Sequence, residues 1–280
     1  MAIITFKSNE IKETAQTLSI AAVATQMAIA HNLKVLVVST AFKDKTLEQC
    51  FYDVDKTIKA VSMFGKNVNV GIENGVEGLM RVLASNKTSP DIVRNYSKIL
   101  LKDSRLDILP SATTTEYKDY ENVAAAYPDI IQLANRYYDV VLVDLSKRMS
   151  EQFAENIIQI SDVIVVNMTQ RLKSIDEFIE LRETVDFYKR KNIMLLIGRY
   201  DAFSKYNIKN ISRYMKEKKL VNVIPYNTLF FEACSEGKII DFFLKLRDLD
   251  ENDRNYLFVK EVDNAVNGIL YKLQELQMKL

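Results

Sequence analysis

Seven short runs of mostly Val, Ile and Leu recur along the chain, and longer segments of helical period separate most of them. They are Ile3–Phe6, Lys34–Ser39, Leu106–Pro110, Asp139–Asp144, Asp162–Asn167, Ile193–Ile197 and Val221–Pro225. Asp139-Val140-Val141-Leu142-Val143-Asp144 is the clearest of them. A strand that is apolar at every position has both faces buried, which is the mark of a parallel sheet covered by helices. Strand and helix in alternation make βαβ units, whose crossovers are right-handed almost without exception. The expected fold is therefore α/β, a doubly wound and mostly parallel sheet of about seven strands. Thr14 to Ala30 reads as an alanine-rich, closely packed helix.

With 280 residues the chain exceeds the usual domain, but α/β units often reach this size. A single domain over 1–280 is expected. The rhythm breaks once, in a helical insertion at about 42–104. Four of the seven glycines (Gly65, Gly71, Gly75, Gly78) crowd into its middle, with helices expected at about 76–86 and 90–103. A C-terminal amphipathic helix at about 253–280 carries Phe258, Val262, Val266, Ile269, Leu270, Leu273, Leu276 and Leu280 on one stripe.

The net charge of +1 gives no global attraction to nucleic acid or membrane. Two cysteines far apart, Cys50 and Cys234, form no C-x-x-C motif, and the single histidine, His31, argues against a zinc site. His31 is expected to be exposed in a turn. The start of the chain lacks the pattern of a signal peptide. The longest mostly apolar run, Leu18 to Ala30, is shorter than a membrane span. The expected compartment is the cytoplasm.

In an open parallel sheet, ligands bind beyond the carboxyl ends of the strands. Asp144 ends its strand where a Walker B aspartate would hold Mg²⁺ through water. The first strand–loop–helix should then carry a glycine-rich phosphate loop ending in Lys-Ser/Thr. It reads FKSNEIKETAQTLSIAAVAT, and the first glycine of the chain is Gly65. Without glycines, backbone N–H groups cannot approach phosphates in the usual cradle. The helix N-terminus near Thr14 still offers free N–H groups to an anion.

These segments resemble the ParA/MinD/CpaE-type P-loop ATPases of the SIMIBI class. The resemblance rests on the loop and first helix, KVLVVS, YDVVLVD, SDVIVVNMTQRLKSIDEF, LLIGRYDAFSKYN and VIPYNTLFFEACSEGKIIDFF. It implies that Ala15-Gln16-Thr17 stands where the family has Gly-Lys-Thr. Gln16 replaces the phosphate-binding lysine and Thr17 keeps the hydroxyl on the metal side. An ungapped alignment matches Lys7 and Lys12 to the family's two lysines but leaves the first helix about four residues too long; in the preferred alignment Lys12 is a substitute charge. The acidic pair after the second strand is Ser39-Thr40-Ala41, the switch after Asp144 lacks glycine, and Gly198 stands where an asparagine often reads adenine. By this resemblance Lys12, Thr14, Gln16, Thr17, Asp144, Arg199, Tyr226 and Asn227 would contact ATP or ADP, and Thr17 and Asp144 the Mg²⁺. Hydrolysis is expected to be absent or near background.

The resulting expectation is a non-hydrolysing spatial or assembly factor, related to pili, secretion or partition, with a protein partner or a homodimer. An ATP-dependent dimerising switch and a non-specific DNA-binding partition protein are the alternatives. The last draws on residues 186–220, where ten basic residues face three acids. Lys189, Arg190, Lys191, Lys205, Lys209, Arg213, Lys216, Lys218 and Lys219 would form that anionic-surface patch. The polar face of the last helix mixes acids with lysines, which argues against membrane association. Tyr200, Tyr206, Tyr226, Phe230 and Phe231 are expected at the crevice, as packing or as fillers of an emptied nucleotide space.

Overall fold

The computed structural model describes residues 1–10, 14–54, 75–84, 89–216 and 221–278. Eight strands form one sheet. They are β1 (Ala2–Ser8), β2 (Val35–Ser39), β3 (Lys98–Leu101), β4 (Leu106–Leu109), β5 (Val140–Asp144), β6 (Val163–Met168), β7 (Ile193–Tyr200) and β8 (Asn222–Pro225). Their spatial order is β3-β4-β2-β5-β1-β6-β7-β8. Every neighbouring pair is parallel except β3–β4.

The helices of the first half are α1 (Gln16–Ala30), α2 (Thr46–Phe51), α3 (Val76–Leu83), α4 (Ile92–Tyr96) and α5 (Tyr117–Ala134). Those of the second are α6 (Glu151–Gln159), α7 (Leu172–Thr184), α8 (Ile208–Tyr214), α9 (Thr228–Ser235), α10 (Ile239–Lys245) and α11 (Tyr256–Gln277).

The unbroken apolar strands are explained by two cores, one on each face. Ile4, Phe6, Val35, Val37, Val140 and Leu142 point to α1, α2, α9, α10 and α11. Ile3, Leu36, Val38, Val141 and Val143 point the other way, to α3 through α8. Period-two alternation thus sends successive apolar side chains to opposite sides, and neither side meets water. In α1, every residue from Ser19 to Ala28 is buried. Its alanines let it lie close to the sheet, with α10 and α11 packed against it.

Three local outcomes differ from the sequence reading. The eighth strand, β3, lies where a helix over 90–103 was expected. The helix stops at Tyr96, and Lys98–Leu101 pairs antiparallel with the edge of β4, leaving Ile99 half exposed. Unpaired backbone on a sheet edge outweighs the weak helical preference of four residues. Second, the first helix starts at Gln16, not Thr14, because Ala15 is left-handed (φ 51°, ψ 33°). Third, His31 is half-buried and meets the Asp263 carboxylate of α11 at 2.9 Å. Most of the glycine-rich part of the 42–104 insertion lies outside the described residues.

The stripe on α11 faces the core. Phe258, Val262, Val266, Ile269 and Leu273 are buried against α1 and β8, while Leu280 lies outside the described residues. Among the described residues, no helix is long and apolar enough to cross a membrane. Cys50 of α2 and Cys234 of α9 are both buried and free. The Cys234 thiol is hydrogen-bonded with Cys50, and that contact and burial together hold its pKa far above the usual thiol value.

Candidate functional site

β1 lies between β5 and β6. The chain leaves β1 toward β2 in one half of the sheet and leaves β6 toward β7 in the other. Crossovers that diverge in this way open a crevice above the carboxyl ends of the central strands. Residues after β1, β5, β6, β7 and β8 meet there.

Gln16 and Asp144 are at its centre. Gln16 Nε2 donates to Asp144 Oδ1 at 2.6 Å and to the carbonyls of Phe6 and Leu145 at 3.0 Å each. Two amide hydrogens are thus shared among three acceptors at the ends of β1 and β5. Thr17 Oγ1 donates to the other carboxylate oxygen, Asp144 Oδ2, at 2.9 Å. Both carboxylate oxygens are therefore engaged by side chains of α1. Burial raises the Asp144 pKa to about 6, and the bonds from Gln16 and Thr17 only partly counter it. The backbone of Asp144 is fixed as well. Its carbonyl accepts from Thr40 N and Thr40 Oγ1, and Thr40 Oγ1 accepts from Ser146 N. Tyr120 and Tyr127 of α5 donate to the carbonyls of Thr40 and Ser39, anchoring the end of β2.

The loop after β1 is pinned sideways. Glu10 reaches over the end of β6, where its carboxylate accepts from Thr169 N at 2.9 Å and Thr169 Oγ1 at 3.1 Å. Lys7 donates to Asn9 Oδ1 and the Tyr188 hydroxyl and lies 4.7 Å from the centre of the Phe187 ring. Burial there lowers its pKa, with Glu155 partly restoring it. Lys12 lies outside the described residues.

Thr14 is buried, and its carbonyl rests directly on β7. A Cβ built on Gly198 would come within 2.2 Å of Thr14 O. No side chain fits at this point, which accounts for a glycine in the middle of an apolar strand. Beyond it, Arg199 is exposed and left-handed (φ 51°), with its guanidinium 5.9 Å from the Tyr226 ring centre. Asn227 caps α9 by accepting from Phe230 N and also donates to Asn255. The space among Ala15, Leu18, Arg199, Tyr226 and Phe231 is a cavity of about 20 Å³, room for roughly one water.

Gln16, Thr17 and Asp144 thus meet in one place, Thr14 lies against β7, and Arg199, Tyr226 and Asn227 line the adjoining wall. Thr17 and Asp144 present one hydroxyl and one carboxylate, the two protein groups that would hold Mg²⁺ in a P-loop site. They fit that ion only alongside phosphate oxygens, since among the described residues no three His, Cys, Asp or Glu side chains converge to hold a metal. Sequence reasoning missed Glu10, and it places Thr40 and Asn167 only as residues at the ends of strands. Asn167 is the last residue but one of β6, and its buried amide has no partner at either end. Nothing in the local pattern flags Glu10. Asn167 carries a weak signal, as a polar residue closing an apolar strand.

The basic residues of 186–220 fall on both sides of β7. Lys189, Arg190 and Lys191 precede it, while Lys205, Lys209, Arg213 and Lys216 follow it, all exposed. Lys189 pairs with Asp186 at 2.8 Å and Arg190 lies 3.9 Å from Glu155. Lys218 and Lys219 lie outside the described residues.

No protein-family model matches the chain, and no curated protein matches it in sequence. Solved structures do. The ParA family ATPase from Chlorobium tepidum TLS superposes with a TM-score of 0.66 at 17% identity, covering 95% of this chain and 98% of that one. This chain has the ParA/MinD fold. MinD from Pyrococcus horikoshii OT3, complexed with Mg-ADP, gives 0.64 at 15% identity, with 97% and 98% covered. The MinC:MinD cell division protein complex from Aquifex aeolicus gives 0.61 at 13%, with 96% of each chain covered. The ParA/MinD fold accounts for the eight-stranded order and for a crevice beside β1. Identities this low carry the architecture and leave the chemistry to the residues themselves.

Proposed function

We propose that this chain is a degenerate ParA/MinD/CpaE-like protein, a non-hydrolysing spatial or assembly factor for pili, secretion or partition. It would work in the cytoplasm by presenting a surface to a protein partner. The observation that carries the proposal is the Gln16–Asp144 contact at 2.6 Å. In a P-loop ATPase, a lysine at this position of the helix reaches the β- and γ-phosphates. Gln16 is neutral and bonded to the strand ends.

Three further features support the same reading. The Glu10 carboxylate is held in the loop where phosphates would need positive charge. Ala15 keeps a left-handed backbone with a side chain that a glycine would not carry. The wall where a base would stack leaves only about 20 Å³. Phosphoryl transfer is catalysed almost wholly by positioning and charge stabilisation, so removing several such groups together removes the reaction. The MinD of Aquifex aeolicus, solved with MinC, supports a protein partner for a chain of this fold.

The test is ATP turnover together with thermal denaturation in Mg-ATP and Mg-ADP. A ligand at 100 times its Kd adds about 2.7 kcal/mol, a shift of several degrees. No shift and no turnover are expected. A shift together with turnover that is lost in Asp144→Ala would instead establish the switch ATPase, with Thr17 and Asp144 holding the metal. A shift without turnover would mean that nucleotide binds as a static ligand, and the non-hydrolysing reading would stand with ATP or ADP bound.

A further inference from the structure

The loop over 201–207 joins β7 to α8 and holds an aromatic ring clear of the protein. Phe203 is fully exposed. The loop is not slack at that point. Gln170, at the entry to α7, accepts from Asp201 N at 2.9 Å. Its amide donates to the carbonyls of Asp201 and Tyr206 at 2.8 and 2.7 Å. Asp201 Oδ1 accepts from Phe203 N at 2.9 Å, and the Asp201 carbonyl accepts from Ser204 N. A ring on a slack loop would fold back onto apolar surface, and these bonds keep this one out.

Beside the loop, α7 and α8 leave a groove of about 330 Å³ between them. Ile175 and Ile211 are its buried floor, and Leu172, Tyr206 and Tyr214 are its sides. The two walls differ in sign. The exposed charges of α7 are four acids, Asp176, Glu177, Glu180 and Glu183, against Lys173. On and beside α8, Lys205, Lys209, Arg213 and Lys216 are exposed, and the helix carries no acid. Among the described residues none of these four cations has an ion pair, unlike Lys189 and Arg190. A polyanion would meet the acids of α7, and a bilayer is flat where this surface is notched. A second copy of the chain suits the knob, the groove and both charged walls at once. A two-fold axis places the same patch on both sides of a contact, so each α8 can face the other copy's α7.

We propose that Phe203 of each copy enters the α7–α8 groove of a second copy, in a two-fold pair whose α8 cations meet α7 acids. The pair goes beyond the partner surface proposed above, needs no nucleotide, and rests on no reading of the Gln16–Asp144 crevice. A ring already held out and a groove already open lose little freedom on association. With a net charge of +1, the two copies have no bulk repulsion to overcome.

Analytical ultracentrifugation of the full chain, free of nucleotide and in EDTA at low salt, tests it. A monomer–dimer equilibrium is expected at micromolar protein, weakening as salt is raised. Phe203→Ser should weaken the pair at least about tenfold, since two rings are lost, with an unchanged far-ultraviolet circular dichroism spectrum. Two charge-reversed variants, Lys209→Glu with Arg213→Glu and Glu180→Lys with Glu183→Lys, should each be monomeric, because like charges then face across both contacts. Mixed in equal amounts they should pair again, a result that neither a misfolded variant nor a contact elsewhere would produce. A parent chain that stays monomeric overturns the proposal, as does pairing that appears only with Mg-ATP. So do a pair that Phe203→Ser leaves intact, growth beyond two chains, and charge variants that remain apart when mixed.

Discussion

Asp144 joins the chemistry of the crevice to the stability of the fold. Its carboxyl has a pKa of about 6 in the folded chain against 3.8 for an ordinary aspartate. Between those values the folded state binds more protons than the unfolded one. This group's contribution is therefore most favourable below about pH 4 and is lost as pH rises toward about 6. Asp144→Asn keeps the shape and removes the titration. It should flatten the decline of stability between about pH 4 and 6 and gain roughly 1–3 kcal/mol at pH 7. Urea denaturation of both proteins across that range, with EDTA present, checks this, and parallel pH curves would contradict it. Gly198 is the second decisive residue. A methyl group there has nowhere to go against Thr14 O at 2.2 Å, and that neighbour is backbone. Gly198→Ala should cost about 1–3 kcal/mol through displacement of the Thr14–Ala15 turn. A denaturation midpoint equal to that of the parent would show that the turn gives way freely.

Helix α11 shows how a sequence pattern leaves its meaning open. The stripe fits a core, a partner groove or a membrane surface equally well, because all three present an apolar medium. In the fold it closes the face over α1, and Phe258 lies 4.8 Å from Phe230, with Phe242 and Phe243 completing the cluster. Phe258→Ala should therefore cost about 3–5 kcal/mol, the range for truncating a buried aromatic. Equilibrium unfolding measures this, and a loss below about 1 kcal/mol would mean that the ring is not part of the core. The strand β3 makes the converse point. Lys98–Leu101 has no strong local preference for a strand, and only the open edge of β4 turns it into one.

At the scale of the whole molecule, the basic run of 186–220 changes character. As sequence it is one cluster. In the fold β7 separates its two parts by eight residues, roughly 26 Å of extended chain, and two of its cations have acids nearby. Counterion release scales with the number of phosphates met at once, so the divided patch should bind duplex DNA weakly. A gel shift on random duplex at about 150 mM salt should show no complex at micromolar protein. A complex there with a steep salt dependence would revive the DNA-binding alternative.

The arrangement of the chain was legible in its apolar strands. Runs such as Val140–Asp144 can only be buried on both faces, and that alone requires a parallel sheet under two layers of helix. The candidate site was legible in part. Asp144 follows from its place at the end of a strand, and Gln16 and Thr17 from the resemblance of the loop and first helix to ParA/MinD-type proteins. Their mutual hydrogen bonds do not, because they join positions more than a hundred residues apart. For the same reason Glu10 escaped notice, and Lys272 of α11, expected on the polar face of that helix, is buried. A polar side chain acquires its role from the groups that surround it, and only the tertiary structure supplies them. Hydrophobic burial is written locally, in the order of residues along a strand. The pairing of charges and amides across the crevice was decided when the strands took their places in the sheet.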